Sequence, residues 1–278
     1  MARNMEMDLA KVWAKSKPPR LPHEIRQPAG RLGAGSLLAQ RIRPSYIASA
    51  VHFDGATNLQ NASLTAANSS LWSASMWVRF ASAVNGSFYG LTGNDTATIQ
   101  SETFGASNGS AVTPISVGMN DGTDADVGLT ATGGPFAFAT WFHLLISVDA
   151  SVAPAIGKFY LNGVDVTNNQ SSNPAPRTFG FSALPALIGA DATGDNMLGD
   201  MAEVWVAPGV SLLVAGDIPL ATRRKFIDAN GFPANPTGFP ASAMLFSGDA
   251  STFGTNQGTG GAFTTTGTLT NASTSPSS

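Results

Sequence analysis

From residue 50 onward, apolar residues recur at every second position in short runs, and that period admits few folds. In 74–80, Ala74, Met76, Val78 and Phe80 point one way, and Ser75, Trp77 and Arg79 the other. In 141–149, Phe142, Leu144, Ile146 and Val148 alternate with Trp141, His143, Leu145 and Ser147. In 201–206, Ala202, Val204 and Val206 stand opposite Met201, Glu203 and Trp205. A period of two sends side chains to alternate faces of an extended chain, so each run is expected as a half-buried strand. Asn162-Gly163 between Lys158–Leu161 and Val164–Val166 is a hairpin signal, because a type I′ turn needs φ > 0 at both central residues. Many such runs separated by turn residues predict an all-β sandwich or barrel.

The chain has 278 residues, room for one all-β domain of roughly 200–250 residues and an extension. Only 12% of residues are charged, about half of the usual share of about 25%. Cysteine is absent, which excludes disulfides and thiolate metal ligands. No apolar run approaches the roughly 18–20 residues of a membrane-spanning helix, so no membrane partner is expected. Glu6 and Asp8 stand near the start and no apolar stretch follows, so the first residues are not read as a secretory signal.

Residues 1–49 read as a basic anchor arm. Asn4 can cap a short helix running to about Ser16, with Met5, Leu9, Val12 and Trp13 on one face. Glu6 and Asp8 in its first turn and Lys11 and Lys15 near its end suit the helix dipole. Pro18 and Pro19 stop it. A helix this short is marginal alone, so its apolar face needs a host. Residues 18–46 mix Pro, Gly and Arg without period. Residues 1–50 hold nine Lys/Arg against three Asp/Glu, and residues 51–278 hold six against fifteen, so a +6 arm joins a −9 body. Such an arm suits an acidic surface. Nucleic acid is one candidate, but Arg20, Arg26, Arg31, Arg41 and Arg43 are spread among prolines, and aromatic partners are few. A protein partner is favoured, including the acidic body of another copy.

One further helix is expected near 219–230, between Pro219 and Asn230-Gly231, followed by a Gly/Pro loop and a returning strand at 243–246. Residues 251–278 are rich in Gly, Thr and Ser, with Phe253, Phe263 and Leu269 as large apolar anchors. They are either an edge laid on the sandwich or a low-complexity end.

Five segments then line up in order: Val51-His52-Phe53-Asp54-Gly55; Ser75-Met76-Trp77-Val78-Arg79-Phe80; Trp141-Phe142-His143; Lys158 to Gly163; and Leu198-Gly199-Asp200-Met201-Ala202-Glu203-Val204-Trp205. The series resembles the laminin-G-like branch of the concanavalin A-like lectin/glucanase superfamily. That resemblance implies a two-sheet antiparallel jelly-roll sandwich, placed at about 50–250. Arg223 to Ile227, Gly231-Phe232-Pro233, Pro236-Thr237-Gly238 and the glycines at 258–261 before Phe263 are similar to the C-terminal half of laminin-G-like proteins of tailed-bacteriophage virions. This second resemblance implies a virion structural component.

Glycosidase chemistry needs two facing carboxylates, about 5–5.5 Å apart in retaining enzymes. On a strand, such a pair would appear at i and i+2. Glu6, Glu24, Glu102 and Glu203 show no such pair, so no enzyme is expected. Asp121, Asp124 and Asp126 crowd one loop and Asp191, Asp195 and Asp200 another. Hard oxygen ligands suit Ca²⁺, with the second set preferred, although Asp is also a turn residue. His143 is read as a packing and hydrogen-bonding residue. Trp72, Phe88, Tyr89, Asn94 and Asp95 could form an aromatic-and-acceptor glycan site, or else pack and turn.

The resulting expectation is a non-enzymatic virion protein of the head decoration, neck or tail. It would dock through Met5, Leu9, Val12, Trp13 and the arginines onto other virion proteins, as a homo-oligomer within a symmetric assembly. It would be assembled in the host cytoplasm and be extracellular as a particle. The alternative is an adhesin for host surface glycan.

Overall fold

The computed structural model describes residues 44–81, 89–91, 111–112, 115–119, 127–131, 136–173, 175–182, 185–190 and 196–278. The strands are β1 (Val51–Asp54), β2 (Asn58–Asn61), β3 (Leu71–Phe80), β4 (Tyr89–Leu91), β5 (Ala111–Val112), β6 (Ser116–Met119), β7 (Val127–Ala131) and β8 (Phe136–Ala137). They continue with β9 (Phe142–Asp149), β10 (Ile156–Leu161), β11 (Val164–Asp165), β12 (Thr167–Asn169), β13 (Ala186–Ile188), β14 (Leu198–Pro208), β15 (Met244–Phe246), β16 (Thr264–Thr266) and β17 (Thr270–Asn271).

One layer is an eight-stranded antiparallel sheet in the order β11-β10-β9-β3-β14-β1-β17, with β15 also on β14. The second layer comprises the four-stranded sheet β16-β2-β13-β4 and the three-stranded sheet β12-β7-β6, and β5 pairs with β8. Between the layers lies one core. Phe53, Trp72, Ala74, Met76, Val78 and Phe80 meet Leu59, Val117, Leu129 and Ile188 there. The expected all-β sandwich is the fold observed.

The central strands are buried on both faces rather than half-buried. Every residue from Trp72 to Val78 is buried, as is every residue from Gly199 to Ala207. The cause is residues 209–239, which fold back over the outer face of the large sheet. Leu212, Ile218 and Phe226 from that cover pack on Leu145, Tyr160 and Trp205. Trp205 packs against Phe226, with ring centroids 5.1 Å apart and the rings tilted by 58°, and donates its indole N–H to the Pro240 carbonyl at 2.8 Å. Ser147 fastens the cover as well, by accepting from the Leu212 N–H at 2.9 Å.

The hairpin turn falls where expected, with φ of 49° at Asn162 and 79° at Gly163. The helix expected near 219–230 shrinks to α1 (Leu220–Arg223). The chain then turns so that Ile227 forms a bridge with Pro233, and Asp228 Oδ1 accepts from the N–H groups of Asn230 and Phe232. Those contacts compete with helical propagation and win.

The C-terminal residues are part of the sandwich. β16 pairs with β2, β17 pairs with β1, and Phe253 is fully buried. The body also begins before residue 50: Ala48 is buried, and its N–H donates to Ser277 Oγ at 3.0 Å. Residues 1–43, including Met5, Leu9, Val12, Trp13, Arg20, Arg26, Arg31, Arg41 and Arg43, lie outside the described residues.

Candidate functional site

The ionisable residues of the large sheet gather on its outer face, beside the cover. They begin as one cross-strand row. His52 on β1 is in register with Asp200 on β14, and Asp200 with Arg79 on β3. Asp200 is 2% exposed, takes His52 Nδ1 on one oxygen at 2.7 Å, and accepts from Arg79 on the other at 2.5 Å. The Arg79 Nε–H donates to the Ala139 carbonyl at 3.1 Å.

Next comes Glu203, placed by a bulge. The β3–β14 register shifts between Ala202 and Trp205, and Glu203 takes φ 49°. A bulge inserts one residue and breaks the alternation of faces. Met201, rather than Ala202, therefore joins Val204 and Val206 in the core, and Ala202 turns outward onto Trp77 and Ile227. The expected grouping of Ala202 with Val204 and Val206 is thus corrected. Glu203 is 1% exposed and accepts the Tyr46 hydroxyl at 2.8 Å. Burial pushes its pKa up to about 7, against a smaller opposing effect of the Tyr46 bond. Burial, and next the Glu203 charge, raise the Tyr46 phenol above its ordinary range, so Tyr46 remains a donor.

His143 on β9 is fully buried against Trp77, with ring centroids 5.0 Å apart, and its Nε2 lies 2.8 Å from Ser75 Oγ. Desolvation pushes its pKa down to about 3, so the imidazole is neutral at any working pH. A Ser–His pair can activate a nucleophile only where substrate reaches the hydroxyl, and Ser75 is itself buried. The pair is a packed hydrogen bond.

Of the residues considered for glycan binding, Trp72 is corrected: it is fully buried in the core and offers no face to a sugar. Phe88, Asn94 and Asp95 lie outside the described residues, and Tyr89 is placed only as part of β4. Of the residues considered for Ca²⁺, Asp121, Asp124, Asp126, Asp191 and Asp195 lie outside the described residues. Asp200 is corrected, because both its oxygens already serve Arg79 and His52. Among the described residues no three His, Asp or Glu side chains gather into a metal site. Other acidic side chains close turns instead. Asp54, Asp149, Asp165 and Asp249 each accept from the N–H two residues on, the Asx turn.

Tyr46, His52 and Arg79 were not anticipated as site residues. The His52–Phe53–Asp54 and Gly199–Asp200 segments carried the signal for the row, since adjacent strands had to bring some pair of them together.

Two layers of antiparallel strands around one core, with the outer sheet covered by residues 209–239, define the class of the antiparallel β-sandwich. The sequence model of the laminin G family described as the concanavalin A-like lectin/glucanases superfamily matches residues 53–210. The chain belongs to that superfamily. Among solved structures, a heptameric SAP-like pentraxin from Limulus polyphemus aligns at 9% identity and TM-score 0.41, over 58% of this chain and 76% of its own. A Bacteroides ovatus protein named for carbohydrate binding aligns at 13% and TM-score 0.48, over 84% and 62%. Domains LG4-5 of the mouse laminin α1 chain align at 9% and TM-score 0.34, over 63% and 47%. The chain therefore spans less than two thirds of the length of the last two. No curated protein sequence matches it.

Proposed function

We propose that this protein is a non-enzymatic structural component of a tailed-bacteriophage virion, in which the N-terminal arm docks on neighbouring subunits and the sandwich is displayed. The observation that carries the non-enzymatic part is the outer face of the large sheet. Asp200 and Glu203 share that face, yet Asp200 is held by Arg79 and His52, and Glu203 lies buried under Tyr46. Neither carboxylate is open to a substrate, as general acid–base catalysis requires. The division of charge supports docking, with +6 in residues 1–50 and −9 in residues 51–278. The virion setting rests on the resemblance of residues 223–263 to phage proteins.

Deletion of residues 1–17 tests this reading. The truncated protein is expected to fold and stay soluble but to be lost from assembled particles, scored by mass spectrometry of purified virions. Incorporation at the full-length level contradicts it.

Glycan binding is a second reading, favoured by a cleft of about 590 Å³ on the body. Ser63, Thr65, Ser182, Ser242 and Thr259 line it with hydroxyls. The two readings are compatible, since a displayed sandwich can also adhere to a host.

A further inference from the structure

We propose that the groove between the Asn162–Gly163 hairpin and α1 receives the acidic, apolar stretch Met5–Leu9 of the arm from a second copy of this chain. The inference rests on the arm-docking reading above and names where the arm lands.

The groove has a volume of about 360 Å³, and Val164, Leu220, Arg224 and Ile227 are among the residues that line it. Val164 is 64% exposed and Leu220 55%, so two large apolar side chains flank one opening. Single exposed apolar residues are ordinary on a protein surface, but these two line the same groove, where a partner could bury both. The groove is also the basic spot on an acidic body. Residues 44–278 carry six Lys/Arg: Arg79, Lys158, Arg177, Arg223, Arg224 and Lys225. Arg79 and Lys158 are held in ion pairs. The cluster among the six is the consecutive run 223–225, in which Arg224 and Lys225 are exposed.

Its walls are tied together. Arg223 lies over the Tyr160 ring at 4.5 Å and donates to the Gly163 carbonyl at 2.9 Å and to the Ile218 carbonyl at 3.0 Å. Arg223 thus braces the hairpin against α1, and Arg224, which donates to the Asp228 carbonyl, adds a second positive charge to the groove wall. A groove preformed in this way spares a partner the cost of ordering it.

The occupant follows from charge. The arm is basic as a whole, yet Asn4-Met5-Glu6-Met7-Asp8-Leu9 holds two carboxylates and three large apolar residues with no basic one. That stretch is therefore the inverse of the arm in charge, as the groove is the inverse of the body. Met5 and Leu9 match Val164 and Leu220, and Glu6 and Asp8 match the charge of Arg224, which lines the groove, with Lys225 exposed beside it in the chain. An amphipathic helix laid in an apolar groove is an established recognition mode. Reach is sufficient: residues 17–43, fully extended, span about 90 Å, while a body of this size has a radius of gyration of about 17 Å. An arm from one copy in the groove of the next is a heterologous contact, which closes into a ring when the rotation allows.

The absence of cysteine gives a clean test in the full chain. Met5→Cys protein is mixed with Val164→Cys protein under mild oxidation, and in parallel with Thr265→Cys protein as a control on the exposed β16. The intermolecular disulfide is expected at least about tenfold more often with Val164→Cys. Arg224→Glu with Lys225→Glu should lower that yield about tenfold, since like charges across an interface repel. Glu6→Lys with Asp8→Lys in the arm partner should restore it. Equal yields for the two positions, or a yield indifferent to charge reversal, would overturn the assignment. If deleting residues 1–17 prevents incorporation and these cross-links still fail, the arm reading stands and this landing site falls.

Discussion

Replacing Glu203 by glutamine is expected to stabilise the body by about 3 kcal/mol at pH 8 and to change little at pH 4.5. Glu203 is 1% exposed and accepts one hydrogen bond, from Tyr46. Ala50, Trp77, Ala202 and Ile227 form an apolar cluster beside it. Burial lifts its folded pKa from 4.5 to about 7. The folded state therefore holds a proton that the unfolded chain releases, and a group of this kind loses its contribution as pH rises. Stability from this residue is full below about pH 4.5 and is lost between there and about pH 7. A glutamine side chain would keep the shape and the acceptor for Tyr46 without a charge to bury. Urea unfolding of both proteins at pH 4.5, 6 and 8 measures the difference, in which the other titrating groups cancel. A difference that does not grow with pH contradicts the account of Glu203.

Gly199→Ala is expected to destabilise the body by about 3 kcal/mol, lowering Tm by roughly 6–12 °C for a domain of this size. A Cβ at this position would lie 2.3 Å from the Arg79 carbonyl oxygen and 3.1 Å from the Phe80 Cα. These are backbone atoms of β3, so no side chain can swing away. Strands β3 and β14 are joined here by the Gly199↔Phe80 and Asp200↔Arg79 pairs. Forcing them apart loosens the ladder and the Arg79–Asp200 ion pair together. By contrast, the nearest atoms to a Cβ at Gly157 belong to the Leu129 side chain, at 2.6 Å, which can shift where backbone cannot. Thermal unfolding of Gly199→Ala against Gly157→Ala measures the contrast. A smaller loss at Gly199 than at Gly157 would show that β14 tolerates the displacement.

The alternation in residues 74–80 and 142–148 was legible because one face of each strand carries large apolar groups and the other Ser, His or Arg. Trp72 could have been placed by the same rule: it shares parity with Ala74 and Met76, and one further step along the period puts it in the core. Glu203 was not legible. Its position depends on a bulge, and residues 202–205 include no Gly or Asn of the kind that favours positive φ. The bulge is also what lets Asp200 and Glu203, three residues apart, share a face. The covering of the outer sheet was hidden for a different reason. Residues 209–239 have no period, and their apolar residues find partners only in three dimensions. Small outward side chains such as Ser73, Ser147 and Ala207 were the trace of that cover, since they leave room for a layer above.

Limited proteolysis followed by mass spectrometry, on the isolated protein and on its native particle, tests the central claim most directly. Cleavage within residues 1–43 in the isolated protein, with the same sites protected in the particle, is the predicted result. Equal resistance of residues 1–43 in both samples would contradict an arm that docks on neighbours, and would make glycan binding by the sandwich the leading account.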